Sequence, residues 1–436
     1  MDTSLADDAV RFARDLIRID TTNTGDERSV GERRAAEYVV GLLQDWGLEP
    51  ACFEPAANRT SVVVRLEGRD PARPALVLHG HLDVVPANRA EWTADPFGAE
   101  IRDGAIWGRG AVDMKDMDAM ILAAVGRWRR EGLKPPRDII LCFFADEEAG
   151  GRFGSDWLVQ EHPELFAGAT EAVSEVGGFS VEVAGRRAYL IQTAEKGIAW
   201  LRLVARGTPG HGSAVNPDNA VRHLAEALAR IAAEPWPTRL RPTMTALLGG
   251  AAELAGIAFD PADPASVAAV VEAFGPAKRF VGASTATGVN LTSLTAGDKV
   301  NVVPRTAEAT LDMRPLPDEF EAARSAITRL AGPAVAVETI NQGIALEAPA
   351  DGPLVDAMRA ALAAGDPQAP VLPYMLAGGT DGKALASLGI VSYGFAPLRL
   401  PPDFDFTALF HGVDERVPVE SLRWGAGVLA DFLDRA

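Results

Sequence analysis

Apolar and polar positions change period along this chain, and the changes mark out its elements. Residues 4–19 and 29–46 alternate apolar and charged positions with helical period, and Gly47 suits the C-terminal stop of the second helix. Strand-like runs follow at Ser61–Leu66 and Ala75–Leu78, while Ile139–Ala145 is continuously apolar, as in a strand covered on both faces. Helical patterns at 116–130 and 153–161 alternate with these strands. Such alternation predicts an α/β fold with a mainly parallel sheet and helices on both faces. Ligands collect at the carboxyl ends of strands in such sheets.

The pattern shifts near residue 195. From there the sequence predicts a strand (Ala199–Ala205), a helix (Ala220–Ala233), strands at Asn290–Leu294 and Ala307–Met313, a helix (Asp318–Ala331) and a strand (Val335–Ile340). That order suggests a small open α+β sheet of ferredoxin-like type with helices on one face. Alternating elements resume afterwards, with strands near Val371 and at Ile390–Tyr393 and a last helix after Pro418. The expected organisation is a catalytic domain of residues 1–194 and 347–436 interrupted by an inserted domain of residues 195–346. The Ala-, Gly- and Pro-rich stretch 235–280 is read as an elaboration of the insert, part of it helical.

The chain has 436 residues, too many for one ordinary core, which agrees with two domains. Its 42 basic and 60 acidic side chains give a formal charge of −18, and no basic stripe is present to follow a nucleic acid. Cys52 and Cys142 have no CxxC partner and read as packing thiols. The N-terminal stretch is charged and helical in pattern, without a signal core, and no apolar run approaches the roughly 18 residues of a membrane span. A soluble, cytoplasmic protein without membrane or nucleic-acid partners is the expectation.

Five scattered segments carry the residue types of a two-metal hydrolase: His79-Gly-His81-Leu-Asp83, Asp113 in GRGAVDMKD, Asp146-Glu147-Glu148, Glu175 in SEVGG and His411 in FHGVDE. Two divalent cations lower the pKa of a water they share, and need imidazole and carboxylate ligands, one carboxylate spanning both ions and another free to act as a base. Each residue has a plainer reading. Glu147 and Glu148 could form a solvated acidic turn, His81 a hydrogen-bonded strand end and Asp113 a helix cap. Glu175 could be a turn residue and His411 a surface histidine. As successive residues at a strand end, Glu147 and Glu148 are expected to point to opposite sides, one toward metal and one toward water. Asp83 fits a carboxylate that fixes the tautomer of His81, and His79 is expected to be structural.

The set resembles the dinuclear zinc peptidases and deacylases, a family that includes succinyl-diaminopimelate desuccinylase, acetylornithine deacetylase, aminoacylase, carboxypeptidase S and the glutamate carboxypeptidase of pseudomonads. HGHLDVVP, WTADPF, GAIWGRGAVDMK, ADEEAGG, SEVGG, GTPGHGS, NVVP followed by DMR, GGTD and FHGVDE carry the resemblance over nearly the whole chain. It implies that Asp113 bridges two zinc ions, with His81 and Glu175 completing one site and Glu148 and His411 the other. Cobalt or manganese could substitute in such a mixed nitrogen and oxygen site. It also implies Glu147 as general acid/base, Asp83 orienting His81, and His211 reaching the active site of a neighbouring subunit. Asn301 and Arg314 would hold the substrate, Arg314 through a carboxylate, with Gly379 and Thr380 in the loop that approaches the same group. A cis peptide after Asp113 is a further implication. His223 matches no family role and is left as surface or core.

The resulting expectation is hydrolysis of a peptide or N-acyl amide bond next to a free carboxylate in a small-molecule substrate. The inserted domain would serve as a lid and as the surface of a homodimer. Two rivals stand beside it: an N-carbamoyl or ureido amidohydrolase on the same scaffold, and a non-catalytic metal-binding relative.

Overall fold

Continuous burial decides the centre of the molecule. The computed structural model describes residues 3–436, and in it the run Ile139–Phe144 is a strand buried at every residue. It lies in a ten-stranded mixed sheet. The parallel middle of that sheet runs in the order Ile139–Phe144, Ala75–His81, Ala169–Ser174 and Val391–Gly394. Helices Thr3–Ile17, Lys115–Glu131 and Val419–Arg435 pack together on one face. Helices Ser155–Glu161 and Gly382–Ala386 cover the other. The expected mainly parallel sheet with helices on both faces is present.

Two expected elements change their limits, each for a local reason. The strand expected over Ala75–Leu78 continues to His81, paired with Ile139–Phe144 along its length. The helix expected over 29–46 begins at Arg33, since Gly31 takes a left-handed φ of +87° and Glu32 donates its backbone N–H to Asn58. A hairpin, Ser180–Val183 with Arg186–Glu195, was not expected. Its two-residue turn is Ala184-Gly185, both at positive φ, without the Asn-Gly or Asp-Gly pair that marks such turns in a sequence.

The smaller sheet is four-stranded and antiparallel, in the order Gly288–Ala296, Thr306–Arg314, Ile198–Arg206, Val335–Gly343. Helices Ala220–Ala232 and Phe320–Ala331 lie on one of its faces and close a separate core with Leu201, Leu203, Leu224, Leu311 and Ile327. The helix–strand order matches the ferredoxin-like pattern read from the sequence.

The stretch 235–280 departs from expectation. It forms helices Pro242–Ala255, Pro264–Glu272 and Lys278–Gly282. Met244, Leu247, Leu248, Val270 and Phe274 join the core of the large sheet. The first helix packs on strand Val371–Leu376, where Gly250 sits directly against Leu372. In PTMTALLGGAAELA, Met244, Leu247, Leu248, Ala251 and Ala252 recur at helical spacing as one buried stripe, and that stripe faces the large sheet. These helices therefore extend the core of the large sheet and are no elaboration of the inserted one. Among the described residues no helix is long and apolar enough to cross a membrane.

Candidate metal centre

Three neighbouring parallel strands end at one edge of the large sheet, and each delivers chemistry there. His81 is the last residue of its strand, Glu175 follows Ala169–Ser174, and Glu147 and Glu148 follow Ile139–Phe144. Asp113 comes from the Gly-rich loop before helix Lys115–Glu131, and the bond from it to Met114 is cis. His411 arrives from a late loop at a positive φ of 58°.

These groups form two triads that share Asp113: His81, Asp113 and Glu175, and Asp113, Glu148 and His411. His81 Nε2 lies 3.2 Å from Asp113 Oδ1 and 3.7 Å from Glu175 Oε2. His411 Nε2 lies 3.1 Å from Asp113 Oδ2 and 3.0 Å from Glu148 Oε2. Each oxygen of Asp113 thus faces a different imidazole, as a bridging carboxylate must. Ligands about 2 Å from a tetrahedral zinc are roughly 3.3 Å apart, close to these separations. Glu148 Oε1 is buried without a hydrogen-bond partner. Both the donor set and this orphan oxygen fit a pair of cations, and the residues form a dinuclear zinc-type centre.

Electrostatics point the same way. Burial pushes Glu148 and Glu175 each up to about 7. Glu147 is raised well above the usual carboxylate range, first by burial and then by the charges of Glu175 and Asp381, against the pull of His81. Burial opposes charge on Asp113, yet hydrogen bonds from His411 and His81 hold its carboxyl well below its ordinary value. His411 is raised to about 10 by its bonds to Asp113 and Glu148. Carboxylates crowded this closely stay ionised together at neutral pH when positive charge offsets them, and bound metal ions would supply it.

The acidic turn is not built as the strand alternation suggested. Asp146 adopts a left-handed conformation, φ 67°, and Glu147–Ala149 form one turn of 3-10 helix. Glu147 and Glu148 are separated by that turn and not by strand pleating. Glu148 enters a triad, while Glu147 Oε2 remains 4.0 Å from His81 Nε2 at the cleft. Asp83 meets His81 through both its backbone and its side chain. Its backbone carbonyl is 3.0 Å from His81 Nδ1 and its carboxylate 3.5 Å away. The carboxylate accepts the backbone N–H groups of Glu147 and Glu148, both at 3.1 Å. Glu415, unassigned in the sequence reading although it stands in FHGVDE, is fully buried and accepts N–H bonds from Val112 (2.7 Å) and Asp113 (3.2 Å). Its place beside a ligand-bearing motif was the available signal.

The centre opens into a cleft of about 620 Å³ between the large sheet and the inserted one. Arg314, Gly379 and Thr380 line it, with Ile198, Trp200, Ile344, Phe280 and Phe410 supplying apolar surface. Asp312 holds Arg314 in a fork, accepting from Nε at 2.7 Å and Nη2 at 2.9 Å. Thr380 is committed elsewhere, its Oγ1 donating to Glu195 Oε1 at 2.6 Å. Lys383 pairs with the same Glu195 at 2.9 Å. His211 and Asn301 do not line this cleft. His211 ends the short exposed strand Gly210–His211, paired with Val302–Val303, and Asn301 lies on the turn before that partner; Gly212 N–H donates to Asn301 O at 2.8 Å and His211 Nδ1 lies 2.8 Å from Ser213 Oγ. His223 is 3.2 Å from Asp218 on the surface helix that follows.

Comparison with known proteins adds to this geometry. The description "Peptidase family M20/M25/M40" matches residues 77–435. Aminoacylase-1 of Sus scrofa is 29% identical over 393 residues, covering 88% of this chain and 85% of that protein. Among solved structures, a metallo-carboxypeptidase from Sulfolobus solfataricus superposes with a TM-score of 0.73 at 17% identity over 100% of this chain and 99% of its own. A dipeptidase of Saccharomyces cerevisiae superposes with a TM-score of 0.72 at 15% identity, over 99% and 98% of the two chains.

Proposed function

The chain belongs to peptidase family M20/M25/M40, and from that premise we propose that it removes the acyl group from N-acyl amino acids bearing a free carboxylate. As a member with this centre it is a metal-dependent hydrolase of amide or peptide bonds near a carboxylate. The observation that carries the reading is the pair of triads joined through Asp113, with Glu147 beside them and outside both. The choice of an N-acyl substrate rests on the likeness to aminoacylase-1 over most of both chains and on the apolar surface of the cleft.

In this reading His81, Glu175, Asp113, Glu148 and His411 would hold two zinc ions, with cobalt or manganese as possible replacements. When bound, such ions acidify water and polarise a carbonyl. Glu147 takes the proton of the attacking water and returns it to the leaving nitrogen. Burial favours its protonated form, which suits the return step. Asp83 holds the turn that carries Glu147 and supports His81 through its own backbone carbonyl. Arg314, pre-oriented by Asp312 through Nε and Nη2, presents its Nη1 edge to the substrate carboxylate. Gly379 brings the loop backbone to the same group, and Thr380 braces that loop through Glu195.

His211 and Asn301 act in the cleft of a second copy, in a homodimer formed through the inserted unit. Their exposure on adjacent segments, outside their own cleft, supports this arrangement. Two unpaired cysteines, one exposed and one buried, suit a cytoplasmic setting.

A panel of N-acyl amino acids, dipeptides and N-carbamoyl amino acids, run on zinc-loaded protein, tests the proposal. Release of amino acid from apolar N-acyl substrates, and none from their carboxyl esters, is the expected result. Cleavage confined to dipeptides, or release of ammonia and carbon dioxide from the carbamoyl compounds alone, would replace it.

A further inference from the structure

Asn23, in the loop after the first helix, has no part in the mechanism above, yet it is 4% exposed and reaches the back of the catalytic turn. Its amide has only one workable orientation. Oδ1 accepts from Arg59 Nη2 at 2.7 Å, from Gly25 N–H at 2.9 Å and from Ser29 Oγ at 3.1 Å. With donors on the oxygen side, Nδ2 must face the other way, where it meets Asp83 Oδ2 at 2.8 Å and Asp146 Oδ1 at 3.1 Å.

Those two carboxylates are what shape the acidic turn. Asp83 accepts the N–H groups of Glu147 and Glu148. Asp146 makes the left-handed bend that starts the turn, and its Oδ2 accepts from Phe153 N–H at 3.0 Å. Both are nearly or wholly buried, so without a donor between them their charges would push them apart. Arg59 supplies the nearest full positive charge, 3.5 Å from Asp146 Oδ1, and is itself fixed by Glu32 Oε1 at 2.6 Å. The loop carrying Asn23 is tied down separately, through its backbone N–H to Val84 O at 2.8 Å.

We infer that Asn23 is a positioning residue for the Glu147–Glu148 turn, setting the proton-transferring group and one metal ligand in place by bridging Asp83 and Asp146. It touches neither substrate nor ligand atoms and works only through those carboxylates. The inference rests on the reading of Glu147 as the base and of Glu148 as a ligand.

The test uses full-length, zinc-loaded protein. In Asn23→Ala, kcat falls on the order of ten- to a hundredfold with KM little changed, and affinity for the more weakly held zinc, read by competition with a chromogenic chelator, falls by a similar factor. Asn23→Ser, whose hydroxyl can donate to one carboxylate at a time, recovers part of both losses. Ser29→Ala removes a donor to Asn23 Oδ1 but leaves both Nδ2 bonds, and stays near wild type. If Asn23→Ala does not fold, Asn23→Ser decides by the same two readouts. Wild-type kcat and zinc affinity in Asn23→Ala, or in Asn23→Ser if only that folds, would overturn the inference. Glu147→Gln, assayed alongside, separates the two readings. Full activity there removes the base assignment, while a zinc-affinity loss in Asn23→Ala would still place Asn23 behind Glu148.

Discussion

On the large-sheet side of the cleft, His81 and Glu175 are buried and Asp113 and Glu148 half-buried, and hydrogen bonds to Asp83, Glu415 and His79 brace the segments around them. On the inserted side Trp200, 38% exposed, projects from a sheet whose opposite face is covered by helices, and Ile344, 53% exposed, lies just past the end of strand Val335–Gly343. The contrast follows from what each side must do. Ionised groups stabilise a transition state only if they are already in place, so the metal side is over-braced. A surface that receives substrates and closes over them gains from having few bonds to break. The two triads therefore sit on the braced sheet edge, and the half-exposed apolar wall faces them across the cleft.

The sharpest way to break that comparison is Glu147→Gln. It should lower kcat by about 10²- to 10⁴-fold while elemental analysis still finds two metal ions, since Glu147 lies in neither triad. Near-normal turnover would move the chemistry elsewhere. Next in size, mixing inactive His211→Ala with inactive Glu147→Gln should restore part of the activity, because one cleft of each mixed pair would be intact. A fully active monomer would confine the function to one chain. Arg314→Ala should raise KM for carboxylate-bearing substrates about ten- to a hundredfold, the loss of a charge-assisted pair. An ester-blocked substrate cut equally well by both enzymes with no change for the free acid would end the carboxylate role.

The smallest effect concerns the rigid side alone. His79 is fully buried, has no hydrogen-bond partner at either ring nitrogen, and is pushed down from 6.5 to about 3, chiefly by burial. The unfolded chain therefore binds a proton that the folded one refuses, and stability falls as pH drops from about 6.5 toward 3. Denaturant titrations of His79→Phe over that window should show a shallower acid-side loss than wild type. An unchanged slope would mean that His79 is not the group responsible.

How far these features could be read beforehand depended on how local they are. The Ile139–Phe144 strand announced itself through unbroken apolarity, and the ligand-bearing strand ends through the abrupt polar residues that follow. The hairpin at Ala184-Gly185 gave no usual turn signature, and the 235–280 stretch was read with the insert although its helices pack on the large core, since periodicity says nothing about which sheet a helix covers. Asn23 in TTNTG looks like any polar loop residue, and only its neighbours Arg59, Asp83 and Asp146 give it a task. Arg314 was readable as a cation at a strand end, but not its fork with Asp312.

Residue order alone carries most of the element types, the α/β plan with its ferredoxin-like insert, and the imidazoles and carboxylates of the metal centre, because periodicity and donor chemistry are properties of short segments. Long-range packing settled the rest. It made the acidic pair a 3-10 turn, turned the Asp83 carboxylate toward backbone amides, gave the 242–282 helices to the large core, and left His211 and Asn301 outside their own cleft. Each of those outcomes depends on which distant side chain is nearest, and distance in space is set only when the whole chain has folded.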